Sequence, residues 1–124
     1  MDIRKFWSAV LAQDRETLKN FFWENAQVRW HNTNERFTVP EFIQANCDYP
    51  GQWDGKVEHI VDLGDQIITV THVYDQKKTM SCHAVSFIHI EDGKIQSIDE
   101  YWGDDGQSPQ WRQEMGIGSP IIGE

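Results

Sequence analysis

Two cysteines in 124 residues, Cys47 and Cys82, are too few for a disulfide scaffold, and their spacing matches no zinc motif. They are expected as buried or half-buried thiols. No apolar run approaches the roughly 20 residues that span a bilayer. Met1-Asp2-Ile3-Arg4-Lys5 leads into an amphipathic pattern rather than a signal-peptide core, so a soluble, cytoplasmic protein is expected. Positive charge is scarce: 11 Lys+Arg stand against 20 Asp+Glu, a formal charge of −9, which opposes nucleic-acid and anionic-membrane partners. Phosphate-cradling glycine loops, a nucleophile elbow, internal repeats and low-complexity tracts are also missing.

Aromatic surface is plentiful. Six Trp, six Phe and three Tyr exceed what a core this small requires, which suits a ligand pocket or an apolar oligomer face. The length fits one domain over 1–124.

Ile3, Phe6, Trp7, Val10 and Leu11 follow helical spacing, predicting an amphipathic helix over about 2–12. Asp14 is a candidate N-cap for a second helix ending near Asn25, with Leu18, Phe21 and Phe22 as its buried stripe. Thr38-Val39-Pro40-Glu41 reads as a capping box with proline in the first turn, opening a third helix over about 39–47. Ala26 to His31 alternates like a short strand. From Val57 onward the period is two, predicting strands over 57–63, 67–74, 79–90 and 95–102. Asp92-Gly93 suits the positive φ angles of a two-residue hairpin. Helices followed by an antiparallel meander define an α+β domain with helices on one face of the sheet. The tail 104–124 retains Trp111, Met115, Ile117, Ile121 and Ile122, so it is expected to pack across its own domain or a neighbouring subunit, the alternative being a solvated tail.

On the strand 79–90 one face carries Met80, Cys82, Ala84, Ser86, Ile88 and Ile90, and the other Ser81, His83, Val85, Phe87 and His89. On the last strand Ile98, Glu100 and Trp102 share one face, and Ile95, Ser97, Asp99 and Tyr101 the other. Both faces are partly apolar while helices cover only one, so a homodimer through the outer sheet face is expected.

The hairpin Gly93-Lys94-Ile95-Gln96-Ser97-Ile98-Asp99-Glu100-Tyr101-Trp102, behind three N-terminal helices, resembles the closing hairpin of the nuclear transport factor 2-like superfamily. That group includes ketosteroid isomerases, SnoaL-like polyketide cyclases and limonene epoxide hydrolase. The resemblance covers about residues 3–103. It implies a cystatin-like cone, with N-terminal helices packed in the concave face of a strongly curved, mainly antiparallel sheet around a deep apolar pocket. Set against ketosteroid isomerases, the catalytic aspartate falls on Trp30, the oxyanion tyrosine on Phe6 and the second acid on Ser86, so steroid proton shuttling is contradicted. Limonene epoxide hydrolase shares the arrangement of Glu100-Tyr101-Trp102, but its arginine and second aspartate have no counterpart in the inward row Cys82, Ala84, Ser86. SnoaL-like cyclases need only a carboxylate acid/base in an apolar pocket, a role Glu100 fits; a one-residue slip would instead bring Asp99 inward.

The expected site therefore has Glu100 as acid/base, His31 or Ser86 as polarising partner, and Phe6, Trp30, Ile98 and Trp102 as walls. Cys82 and Ala84 lie on the inward row, Asn32 stands beside His31 at the rim, and Trp53 sits in a Gly/Pro loop placed to cover the mouth. Trp7 and Trp23 are assigned to the core. The competing reading of Glu100 is a hydrogen-bonded structural acid, and of the protein a non-catalytic carrier or sensor. His83 and His89 lie about 20 Å apart along a strand, too far to hold one ion, so neither metal nor cofactor is expected. The expected ligand is a small apolar or aromatic molecule.

Overall fold

Asp2 opens α1 (Ile3–Ala12) by accepting from the Lys5 N–H at 3.1 Å, and Gln13 ends it in the left-handed region at φ 56°. The computed structural model describes residues 1–122; positions 123 and 124 of the predicted tail lie outside the described residues. Ile3, Phe6, Trp7 and Ala9 form the buried stripe of α1, while Val10 and Leu11 are half-buried. Asp14 caps α2 (Arg15–Lys19) through the Thr17 N–H.

This second helix is much shorter than its apolar spacing suggests. It stops at Asn20, and Phe22 opens β1 (Phe22–Trp30) instead of closing a helical stripe. Phe22 pairs with Ile95, and the Phe21 carbonyl accepts from the Ile95 N–H at 2.8 Å. Tertiary pairing overrides a spacing that suits helix and strand alike, and the run Phe21-Phe22-Trp23 is itself strand-favouring.

A 3₁₀ turn at His31–Thr33, closed by Asn34 at φ 54°, reverses the chain into β2 (Glu35–Thr38), a strand not among those predicted from the sequence. Four mostly polar residues at a sheet edge carry almost no periodic signal. The capping box at Thr38 and Glu41 then opens α3 (Val39–Cys47). Four long strands follow: β3 (Trp53–Asp62), β4 (Gln66–Asp75), β5 (Ser81–Glu91) and β6 (Lys94–Asp104). Asp92 and Gly93 both have positive φ in the β5–β6 turn.

The strands form one open sheet in the order β2-β1-β6-β5-β4-β3, with β1 and β6 parallel and all other pairs antiparallel. Irregularities between Val57 and His59 and between His89 and Ile90 break the register, a feature that bends and twists a sheet. The second corrects the expected face of Ile95. Gln96 is the extra residue, so Ile95 points inward with Ile98 and both are buried. The core lies between this inner face and the helices. Phe6 is its centre, edge-on to Trp7, Phe21 and Phe22 at 5.5–5.9 Å. The Trp7 indole donates to buried Thr69 at 3.1 Å.

Beyond β6 the chain is exposed through Ile122, including the short α4 (Gln110–Glu114). Trp111 is 62% exposed, so among the described residues the tail does not pack on its own domain as one expectation had it. No helix among the described residues is long and apolar enough to cross a membrane.

Candidate functional site

A cavity of about 320 Å³ lies between α1, α3 and the inner face of the sheet. That volume is at the small end of the range for organic ligands. One wall comes from Trp7, Val10 and Leu11 of α1, and the opposite wall from Val73, Cys82, Ala84 and Trp102. Trp30 stands edge-on to both Phe37 and Trp102, at 4.7 and 6.4 Å, and Tyr49 lies edge-on to Trp53 at 5.1 Å. Gln13 spans the helical side, donating to the carbonyls of Asn46 and Tyr49.

Glu100 supplies a carboxylate to this aromatic enclosure. Its position on β6, opposite Trp30 of β1 and Ser86 of β5, turns it inward, while Asp99 faces outward toward Arg29 and His31. The fully buried Ser86 hydroxyl donates to Glu100 Oε2 at 2.6 Å. Desolvation pushes the Glu100 carboxyl above its usual range. The Ser86 bond opposes that shift, and the Trp30 indole N–H acts in the same direction as Ser86 while falling short of hydrogen-bond geometry. Two cavity residues, Trp30 and Trp53, thus hold buried N–H groups without a partner. Unpaired buried donors cost free energy that an acceptor on a bound molecule would relieve.

Six of the residues expected at the site, Trp30, Trp53, Cys82, Ala84, Glu100 and Trp102, line this cavity. Ser86 lies one layer behind, reaching the cavity only through Glu100. Phe6 and Ile98 are corrected to core, each 1% exposed and absent from the cavity wall. Trp7 is in the core as expected, and it also borders the cavity where Phe6 does not. The two neighbours share one helical stripe, and periodicity cannot tell which of them borders the void.

His31 is corrected outright. Once Trp30 faces the cavity, strand alternation carries His31 to the other side, where it contacts Asp99 at 2.7 Å and stacks on Tyr101 at 4.4 Å. It lies in a surface groove with Arg29 and Arg36 that shares Trp30 and Glu35 with the cavity wall. Asn32 accepts from the Trp102 backbone N–H at 2.8 Å and so clamps the turn to β6 rather than facing a ligand.

Cys82 is no nucleophile candidate. Burial pushes its thiol up, and the carboxylates of Asp105, Asp104 and Glu100 add to that effect, keeping it protonated.

Neither a family model nor a curated protein matches this sequence. Solved structures do share its architecture. A candidate ketosteroid isomerase from Kribbella flavida superposes with a TM-score of 0.80 at 19% identity, covering 96% of this chain and 87% of that one. An NTF-2-like protein of unknown function from Burkholderia xenovorans gives 0.77 at 20%, covering 98% and 92%. An LEH-like epoxide hydrolase from M. tuberculosis gives 0.68 at 13%, covering 82% and 79%. The chain therefore has the NTF2-like cone fold, a scaffold that hosts several chemistries and assigns none by itself.

Proposed function

We propose that the cavity binds a small, mainly apolar organic molecule carrying a hydrogen-bond acceptor, and that Glu100 acts on it as a cofactor-free acid/base. The observation that carries this reading is the desolvated, Ser86-held carboxyl of Glu100 in an aromatic-rich cavity beside the Trp30 and Trp53 indoles, whose N–H groups lack a hydrogen-bond partner among the described residues. A carboxyl raised toward neutrality is suited to taking a proton from a carbon beside a carbonyl and returning it elsewhere on the molecule. An indole N–H directed at the carbonyl oxygen would stabilise the enolate formed between these two steps. Isomerisation, aldol-type cyclisation and hydrolysis all draw on such a group. Names borne by proteins of the same fold, a candidate ketosteroid isomerase, an epoxide hydrolase and candidate SnoaL-like polyketide cyclases, fit this range.

The competing reading is a carrier in which Glu100 only orients its ligand. Native mass spectrometry of gently purified protein identifies any retained molecule. Incubating that molecule in D₂O with wild type and Glu100→Gln then separates the readings. Deuterium incorporation by wild type alone, with binding retained by the variant, supports catalysis; equal exchange by both proteins leaves the carrier.

We also infer a homodimer through the outer sheet face. Half-buried Val70, Val85 and Phe87 and exposed Tyr101 form an apolar surface there that no helix among the described residues covers. Sedimentation of wild type and Val85→Glu tests it, and a monomeric wild type removes it.

A further inference from the structure

On the outer face, away from the cavity wall formed by Ala84 and Glu100, strand pairing assembles a group that no single strand displays. His72 of β4 lies directly opposite His83 of β5, and the two rings stack at 4.6 Å, 7° from parallel. Glu58 joins them from β3. The register break there lets both Glu58 and His59 turn outward between Val57 and Ile60, which pack on the core. One donor atom from each of Glu58, His72 and His83 lies within 4.8 Å of the other two.

We propose that Glu58, His72 and His83 bind a divalent transition metal ion of the zinc type, with Asp105 as the group that orients the site.

Two imidazoles and one carboxylate suit a borderline ion such as Zn²⁺, whereas Mg²⁺ and Ca²⁺ require oxygen donors. Tetrahedral zinc with bonds of about 2.0–2.1 Å places its donors roughly 3.3 Å apart. His83 Nε2 and Glu58 Oε1 already stand at 3.1 Å. Bringing in the His72 ring requires the stacked pair to tilt apart so that both in-plane lone pairs meet at one ion, a side-chain motion on a half-exposed face.

The surroundings are those of a supported ligand set. His83 donates through Nδ1 to Asp105 at 2.5 Å, which fixes the ring's orientation; Nε2, which now pairs with Glu58, would ligate on giving up its proton as the ion binds. Asp105 is itself held by the Ser81 hydroxyl at 2.5 Å, and Ser81 contacts His72 Nε2 at 2.7 Å. The ligands sit on three adjacent strands of one sheet, and their orienting partner immediately follows a fourth. Rigid elements of this kind hold donor geometry better than loops do. A bound ion would link β3, β4 and β5 where the chain leaves the sheet at Asp105.

The test is calorimetric titration of the purified, chelator-treated full chain with ZnCl₂, alongside thermal unfolding with and without the ion. One Zn²⁺ per chain and a raised Tm are expected, with no response to CaCl₂. His72→Gln and His83→Gln should each weaken binding by about 100-fold or more, and Asp105→Asn by about 10- to 100-fold. His89→Gln is the control, since His89 lies on the same face but pairs with Glu91. These substitutions are on the outer face beside the inferred dimer surface, so circular dichroism verifies folding and sedimentation verifies an unchanged oligomeric state before titration. Absence of a stoichiometric site in wild type overturns the proposal, as does equal weakening by His89→Gln, which would mark generic capture by surface histidines.

Discussion

The Ser86 hydroxyl and the Glu100 carboxylate meet at 2.6 Å across β5 and β6, joining a fully buried residue to a carboxylate of the aromatic-rich cavity. Desolvation holds the Glu100 carboxyl above its unfolded value. Between the two values the folded state keeps a proton that the unfolded chain has released. Stability is therefore lost as pH rises through the folded pKa, and no such loss exists below the unfolded one. Glutamine cannot ionise, so Glu100→Gln should gain stability relative to wild type as pH rises above the unfolded value of the carboxyl. Urea unfolding of both proteins below and above that value measures the gap, and a gap that does not change with pH contradicts the desolvated carboxyl.

Ser86→Ala tests the other half of the pair. The hydroxyl lowers the Glu100 pKa by stabilising the charged form, so its removal should raise that pKa further. The cost in stability should be largest, about 1.5–3 kcal/mol, where the folded acid is ionised and smaller where it is protonated. Carboxyl ¹³C chemical shifts followed against pH read the shift directly. An unmoved Glu100 resonance would show that Ser86 only fills space.

Much of this arrangement was legible before the structure. Alternation along 95–102 placed Glu100 with Ile98 and Trp102, and the Thr38/Glu41 spacing marked the start of α3. What escaped detection depended on contacts between distant segments. Ile95 changes face because of one extra residue at Gln96, and a bulge leaves no periodic trace. Phe22 leaves its helix because Ile95 offers a partner more than seventy positions away. The His72–His83 pair does carry a sequence signal: equal counts of three residues outward from the Asp75–Met80 turn set the two opposite each other.

His31→Ala should leave ligand binding in the cavity unchanged. The ring stacks on Tyr101 and pairs with Asp99 on the outer side, and the contact is partly exposed, so the stability cost should stay below about 1 kcal/mol. Titrating the ligand recovered by native mass spectrometry into both proteins measures this. A tenfold loss of affinity would mean that His31 reaches the cavity after all.

Gly55 is the point where a single added methyl should disturb both the cavity wall and the outer-face cluster. A Cβ there would stand 2.4 Å from the His72 carbonyl oxygen and 3.2 Å from Leu11 Cδ1. The backbone oxygen cannot rotate away, so β3 and β4 must separate locally, while Leu11 is pressed toward the cavity it lines. Gly55→Ala should cost about 1–3 kcal/mol, as overpacking does elsewhere. Gly55 pairs with Val73, so amide exchange at Val73 should accelerate before that of the buried Ile88 on β5. Uniform acceleration along both strands would indicate global loss of stability without local separation. Unchanged stability would mean that the β3–β4 pairing relaxes freely, in which case a rigid sheet cannot be what holds Glu58 near His72.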